Sequence, residues 1–100
     1  MNNFGITNKS YSLIVKAFSK YPLVEKVIIF GSRAKGNYKP GSDIDLAIKG
    51  KQSSTELAMN IAAYLNEELP TPYHIDVVDY NSLESVSLKE HIDRAGVLLF

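Results

Sequence analysis

Apolar residues recur at three- and four-residue spacing at Tyr11, Ile14, Val15, Phe18 and Tyr21. That period predicts an amphipathic helix over residues 7–21, with Thr7 as its N-cap and Pro22 as its stop. The pattern then changes. Val24 to Phe30 is a β-branched and aromatic run with the composition of a buried strand. Residues 31–42 hold three glycines and one proline, which leaves room for a single helical turn over Ser32–Lys35 and no more. From Ile44 to Lys49, Ile44, Leu46 and Ile48 alternate with Asp45, Ala47 and Lys49, the period of a second, half-buried strand. Ser53-Ser54-Thr55-Glu56 reads as a capping box. Behind it Leu57, Ala58, Ile61, Ala62, Leu65 and Leu69 form a broad helical stripe that ends at Pro70. A third strand follows over Tyr73–Asp79, with Ile75 and Val77 on one face and His74, Asp76 and Val78 on the other. A second capping box, Ser87-Leu88-Lys89-Glu90, opens a helix through Leu88, Ile92 and Ala95 capped by Gly96. Val97–Phe100 is apolar enough for a fourth, edge strand.

Helices alternating with strands predict an α/β fold whose helices pack mainly on one face of a four-stranded sheet. The connection between the first two strands is too short for a crossover helix, so the sheet should be mixed rather than fully parallel. A chain of 100 residues is expected to form one domain over residues 1–100 and to bury about two-thirds of its unfolded surface.

Composition narrows the function classes. Eleven basic and eleven acidic side chains give no net charge, so the whole molecule does not advertise a nucleic-acid or membrane partner. There is no cysteine, which excludes disulfides and Cys-based zinc sites and fits a reducing compartment. The N-terminus lacks a basic segment followed by an apolar core, and no apolar run approaches membrane-spanning length. The expectation is a soluble, cytoplasmic protein, in which the sequon Asn8-Lys9-Ser10 is idle.

The chemistry concentrates between Val27 and Lys49. A strand, then Gly31-Ser32, then one helical turn is a phosphate-site grammar. Gly31 lets the backbone come close to a ligand, and the amides of Ser32 and Arg33 would open a helix that favours anions. The Ser32 hydroxyl can donate to a phosphate oxygen, and Arg33 and Lys35 could neutralise its charge. By itself Gly31-Ser32 would be read as a tight turn, with Arg33 pairing a surface carboxylate. The aspartates change that reading. Strand alternation puts Asp43 and Asp45 on one face, roughly 7 Å apart at Cα, where they can chelate one or two divalent cations. In-line phosphoryl transfer uses two cations about 3.5 to 4 Å apart. A third carboxylate from a neighbouring strand is then expected to hold the second cation and take the proton of the attacking hydroxyl. Asp76 and Asp79 compete for that post; Asp76 is favoured because Asp79 shares the face of Ile75 and Val77. Gly31 and Gly36 are spaced as in a P-loop, but Asn37-Tyr38 replaces the required Lys-Ser/Thr. His74 and His91 read as ordinary histidines, although His74 shares a face with Asp76. The tyrosines at 11, 21, 64 and 73 read as core and rim.

Gly31-Ser32, ten intervening residues and Asp43-Ile44-Asp45 together resemble the signature of the DNA polymerase beta nucleotidyltransferase superfamily. The wording F-G-S-R-A-K-G-N-Y with G-S-D-I-D-L-A is similar to its smallest branch, the minimal nucleotidyltransferase (MNT) family. The likeness spans essentially the whole chain, including His74-Ile75-Asp76 and the closing Ile92-Asp93-Arg94-Ala95-Gly96, and shows no break in the motif. It implies magnesium-dependent transfer of AMP from ATP. Asp43, Asp45 and Asp76 would be the catalytic and metal-binding carboxylates, with two Mg2+ ions expected, and Gly31, Ser32 and Arg33 would meet the nucleotide. It also implies a HEPN-family partner, with this chain as the antitoxin of the pair, adenylylating a hydroxyl of that partner. A homodimer or hetero-oligomer would fit, and an RNA acceptor stays open. The competing reading is a non-catalytic antitoxin that neutralises its partner by occlusion. An aminoglycoside nucleotidyltransferase is disfavoured, because those enzymes resemble this chain over the motif alone and carry a large additional domain.

Overall fold

The computed structural model describes residues 2–100. Its elements run α1 (Asn8–Ala17), β1 (Lys26–Phe30), α2 (Ser32–Lys35), β2 (Ile44–Lys49), α3 (Thr55–Glu67), β3 (Ile75–Asp79), α4 (Val86–Ala95) and β4 (Val97–Leu98), with short 3-10 turns at Phe18–Lys20 and Tyr80–Ser82. The sheet has the order β3-β2-β1-β4. β1 pairs antiparallel with β2 and β4, and β2 pairs parallel with β3. The sheet is mixed because connection lengths differ: the β1–β2 link cannot hold a long helix, whereas the parallel pair is bridged by α3.

Strand alternation sorts the two faces. Val27, Ile29, Ile44, Leu46, Ile48 and Ile75 point to one face and are packed by Ile14, Ala17 and Phe18 and, from α3, by Ala58, Ile61 and Leu65. Phe30 and Ala47 point the other way and meet Ile92 of α4, with Ile28, Val78, Tyr80, Leu83 and Leu88 around them. The main helices therefore share one face as expected, while α4 covers part of the second. Tyr80 fastens it there, its hydroxyl donating to Asp93 Oδ1 and Oδ2 at 2.8 and 2.9 Å.

Several boundaries move for identifiable reasons. Thr7 caps α1 as expected, its Oγ1 accepting from Ser10 N at 3.2 Å, but α-helical geometry ends at Ala17 and a 3-10 turn completes the segment. The cap of α3 is Ser54, not Ser53, because Ser53 is drawn away to Asp79. Helix α4 starts earlier than its expected box: Ser85 accepts from Leu88 N, and Ser87 lies in the first turn. Gly96 has φ −70 and is no left-handed cap. It is needed because a Cβ there would strike Ile92 O and the Ile28 side chain, so the glycine lets the chain turn from α4 directly onto β1.

Candidate active site

The antiparallel register sets Phe30 beside Asp45, and the parallel register sets Asp45 beside Asp76. These three side chains form one row across the sheet, on the face that α4 covers only in part. Exposure rises along the row, from buried Phe30 through half-buried Asp45 to exposed Asp76. Asp43 precedes β2 and lies on the same face by alternation. Ile44 N donates to His74 O at 2.9 Å, which brings the residue before β2 next to the residue before β3. One ligand atom each from Asp43, His74 and Asp76 then lie within 4.8 Å of one another, and His74 Nε2 is 3.1 Å from Asp76 Oδ1. Asn66 of α3 anchors this corner, its Nδ2 donating to Ile75 O at 2.8 Å and its Oδ1 accepting from Ile75 N at 2.9 Å.

The electrostatics match the crowding. Partial burial raises the Asp45 carboxyl above its ordinary value, the nearby charges of Asp76 and Asp43 raise it further, and His74 lowers it. A carboxylate held beside two others is short of positive charge. A divalent cation would relieve that shortage, and the oxygen donors with one imidazole suit such an ion. The residues present fit the metal that the motif implies.

Opposite the carboxylates runs the Gly31-Ser32 turn. Gly31 takes φ +78, and a Cβ on it would run into Asp45 Oδ2, so only glycine lets this backbone lie against the Asp45 carboxylate. Lys35 N donates to Gly31 O at 3.1 Å, closing α2, while the first amides of that turn have no acceptor within it. The Gly31 amide itself donates to His91 Nε2 at 3.3 Å, and the His91 ring meets Phe30 edge-on at 6.1 Å between centroids. The sequence offered no signal for His91, because its partner is sixty positions away and the contact exists only once α4 lies on β1.

The structure brings Asp43, Asp45, Asp76, Gly31 and Ser32 to one end of the sheet and corrects the role expected of Arg33. That side chain is 2% exposed and turns inward. Its Nε and Nη2 donate to Ser42 O at 3.1 and 2.8 Å, and its Nη1 donates to Phe4 O and Gly5 O at 2.9 and 3.2 Å. Tyr38 and Tyr73 take its guanidinium over their rings, at 5.2 and 4.9 Å from the centroids. With its donors spent on carbonyls, the Arg33 side chain ties the N-terminal segment to the residue before Asp43. Asp79 also lies elsewhere. It is buried on the α3 face, accepting from Ser53 Oγ and Ser82 Oγ, both at 2.6 Å.

Comparison with known proteins agrees with this geometry. No curated protein matches the chain. Among solved structures, a toxin-antitoxin complex with AMP-PNP superposes with a TM-score of 0.67 at 26% identity, covering 90% of this chain and 72% of that one. An MntA-HpeT toxin-antitoxin mutant gives 0.66 at 26% identity over 94% and 72%. A tri-AMPylated Shewanella oneidensis HEPN toxin in complex with its MNT antitoxin gives 0.61 at 23% over 92% and 70%, a likeness of fold alone. The family model described as polymerase beta, nucleotidyltransferase matches residues 13–100. That span takes in the Gly-Ser turn, all three clustered aspartates and α4, and the chain belongs to the polymerase beta nucleotidyltransferase family.

Proposed function

We propose that this chain transfers AMP from ATP to a hydroxyl of a HEPN-family partner protein and acts as the antitoxin of that pair. The observation that carries the reading is the row of carboxylates facing a glycine turn across one sheet end, in a chain whose structural neighbours include a toxin-antitoxin complex with AMP-PNP. Asp43, Asp45 and Asp76 hold the divalent cations, taken as two Mg2+ ions, and Gly31 and Ser32 receive the triphosphate. Bound magnesium supplies charge neutralisation on the triphosphate and polarisation of its phosphoryl oxygens. The acceptor oxygen forms a bond to the α-phosphorus, the bond to the β-phosphate oxygen breaks, and pyrophosphate leaves. The acceptor's proton passes to the Asp76 carboxylate, which is exposed where Asp45 is half-buried and is therefore open to an incoming hydroxyl. The Arg33 guanidinium sets the loop that delivers Asp43, while its amide lies in the first turn of α2 with that of Ser32. Among the described residues no helix is long and apolar enough to cross a membrane, and work in the cytoplasm, where ATP and magnesium are plentiful, fits a chain without cysteine.

The test is intact-mass measurement of the HEPN partner after incubation with this chain, ATP and magnesium. The expected result is a gain of one AMP unit or a multiple, absent with Asp43→Asn. A stable complex without a mass change would replace transfer with occlusion.

A further inference from the structure

The cation corner contains a donor that a purely carboxylate site lacks. His74 Nε2 belongs to the same tight group as the Asp43 and Asp76 oxygens, and neither His74 nor Asp76 is buried, their side chains being 60% and 52% exposed. An ion pair between two such exposed groups is weak and gives little reason to hold the ring in place. The backbone fixes where the residue stands: His74 O accepts from Ile44 N, and Asn66 fixes the next residue through both polar groups of Ile75. The imidazole is thereby presented on the Asp76 face beside Asp43. Carboxylate oxygens suit Mg2+, whereas an imidazole nitrogen is a better donor to first-row transition ions.

We propose that His74 is a ligand of the cation held by Asp43 and Asp76, and that it biases this position toward Mn2+ over Mg2+. The proposal rests on the cation-dependent reading above and adds to it the identity of the preferred ion. On binding, Nε2 exchanges its contact with Asp76 Oδ1 for the metal, so that both groups donate to one ion instead of to each other.

The probe is Mn2+ alone, added to the full chain without nucleotide. Free Mn2+ is read by electron paramagnetic resonance, Mg2+ serves as the competitor, and electron spin echo modulation reports nitrogen bonded to the bound ion. The wild type is expected to hold Mn2+ over Mg2+ by at least about tenfold more than His74→Gln does, and to show nitrogen modulation that the variant lacks. His74 is exposed, so the variant keeps the fold. An unchanged Mn2+/Mg2+ ratio, or nitrogen modulation absent from the wild type, would overturn the His74 assignment while leaving cation binding intact. If neither ion binds, and Asp43→Asn behaves like the wild type, the carboxylate site itself falls, and this proposal with it.

Discussion

Asp45 shows what the site costs the fold. Its carboxyl is half-buried, packed against the Gly31 backbone and flanked by Asp76 and Asp43, and its pKa lies above the ordinary 3.8. For a group shifted in this direction, the stabilising contribution is fully present below the unfolded value and is lost as pH rises through the higher folded value. At neutral pH, without a cation, ionised Asp45 therefore works against folding. Asp45→Asn keeps the shape and removes the charge. In chelator it should raise the melting temperature at pH 7 by roughly 2–4 °C, a modest gain because solvent on the open side screens the repulsion. The gain should shrink as the pH falls toward the unfolded value, and added Mn2+ or Mg2+ should stabilise the wild type more than the variant, which keeps Asp43, His74 and Asp76 but lacks the Asp45 charge. Thermal melts across pH, with and without the ion, check all three outcomes.

At the scale of elements, two polar clasps align the pieces that carry the aspartates. Ser53 and Ser82 grip Asp79 and join the start of α3 to the end of β3. Arg33 grips Phe4, Gly5 and Ser42 and so joins the N-terminal segment, α2 and the approach to β2. A lysine cannot span these carbonyls, since its single ammonium lacks the planar fork of donors. Arg33→Lys should cost about 2–4 kcal/mol in chemical denaturation, the range for buried charged groups left without their partners. Had Arg33 been a phosphate contact, the same change would weaken ATP binding and spare stability. The sequence pattern marked both residues as notable but did not show that the Arg33 side chain turns inward, because alternation and spacing report which face a residue occupies but not which backbone carbonyls will surround it. The displaced caps at Ser54 and Ser85 have the same origin. Neighbouring serines compete for one post, and a distant aspartate decides between Ser53 and Ser54.

For the whole molecule, the division of the sheet into a fully packed face and a partly open one separates stability from function. The core against α1 and α3 contains no member of the carboxylate row, so shape-preserving changes that remove charge from the row should leave the molecular surface intact elsewhere. The doubly substituted Asp43→Asn, Asp45→Asn chain is expected to form a complex with the proposed HEPN-family partner as well as the wild type does, while leaving that protein's mass unchanged. Size-exclusion chromatography with intact-mass measurement reads both properties in one sample. Loss of the complex would mean that the row itself is the contact.

The local pattern alone determined the α/β class, the extent of β2, the single helical turn after Gly31, and the likeness carried by Gly31-Ser32 and Asp43-Ile44-Asp45. These depend on residues close in the chain, where steric preference and the two-residue period of a strand act directly. Strand alternation already favoured Asp76 over Asp79, but tertiary structure alone decided what Asp76 stands beside, since the parallel register pairs it with Asp45. It also decided that His74 stands beside Asp43 and Asp76, that His91 accepts from the Gly31 amide, and that the Arg33 side chain is a buried clasp. Each of these is set by how strands align and how a helix lands on the sheet, and pairings across such distances leave no periodic trace in the chain.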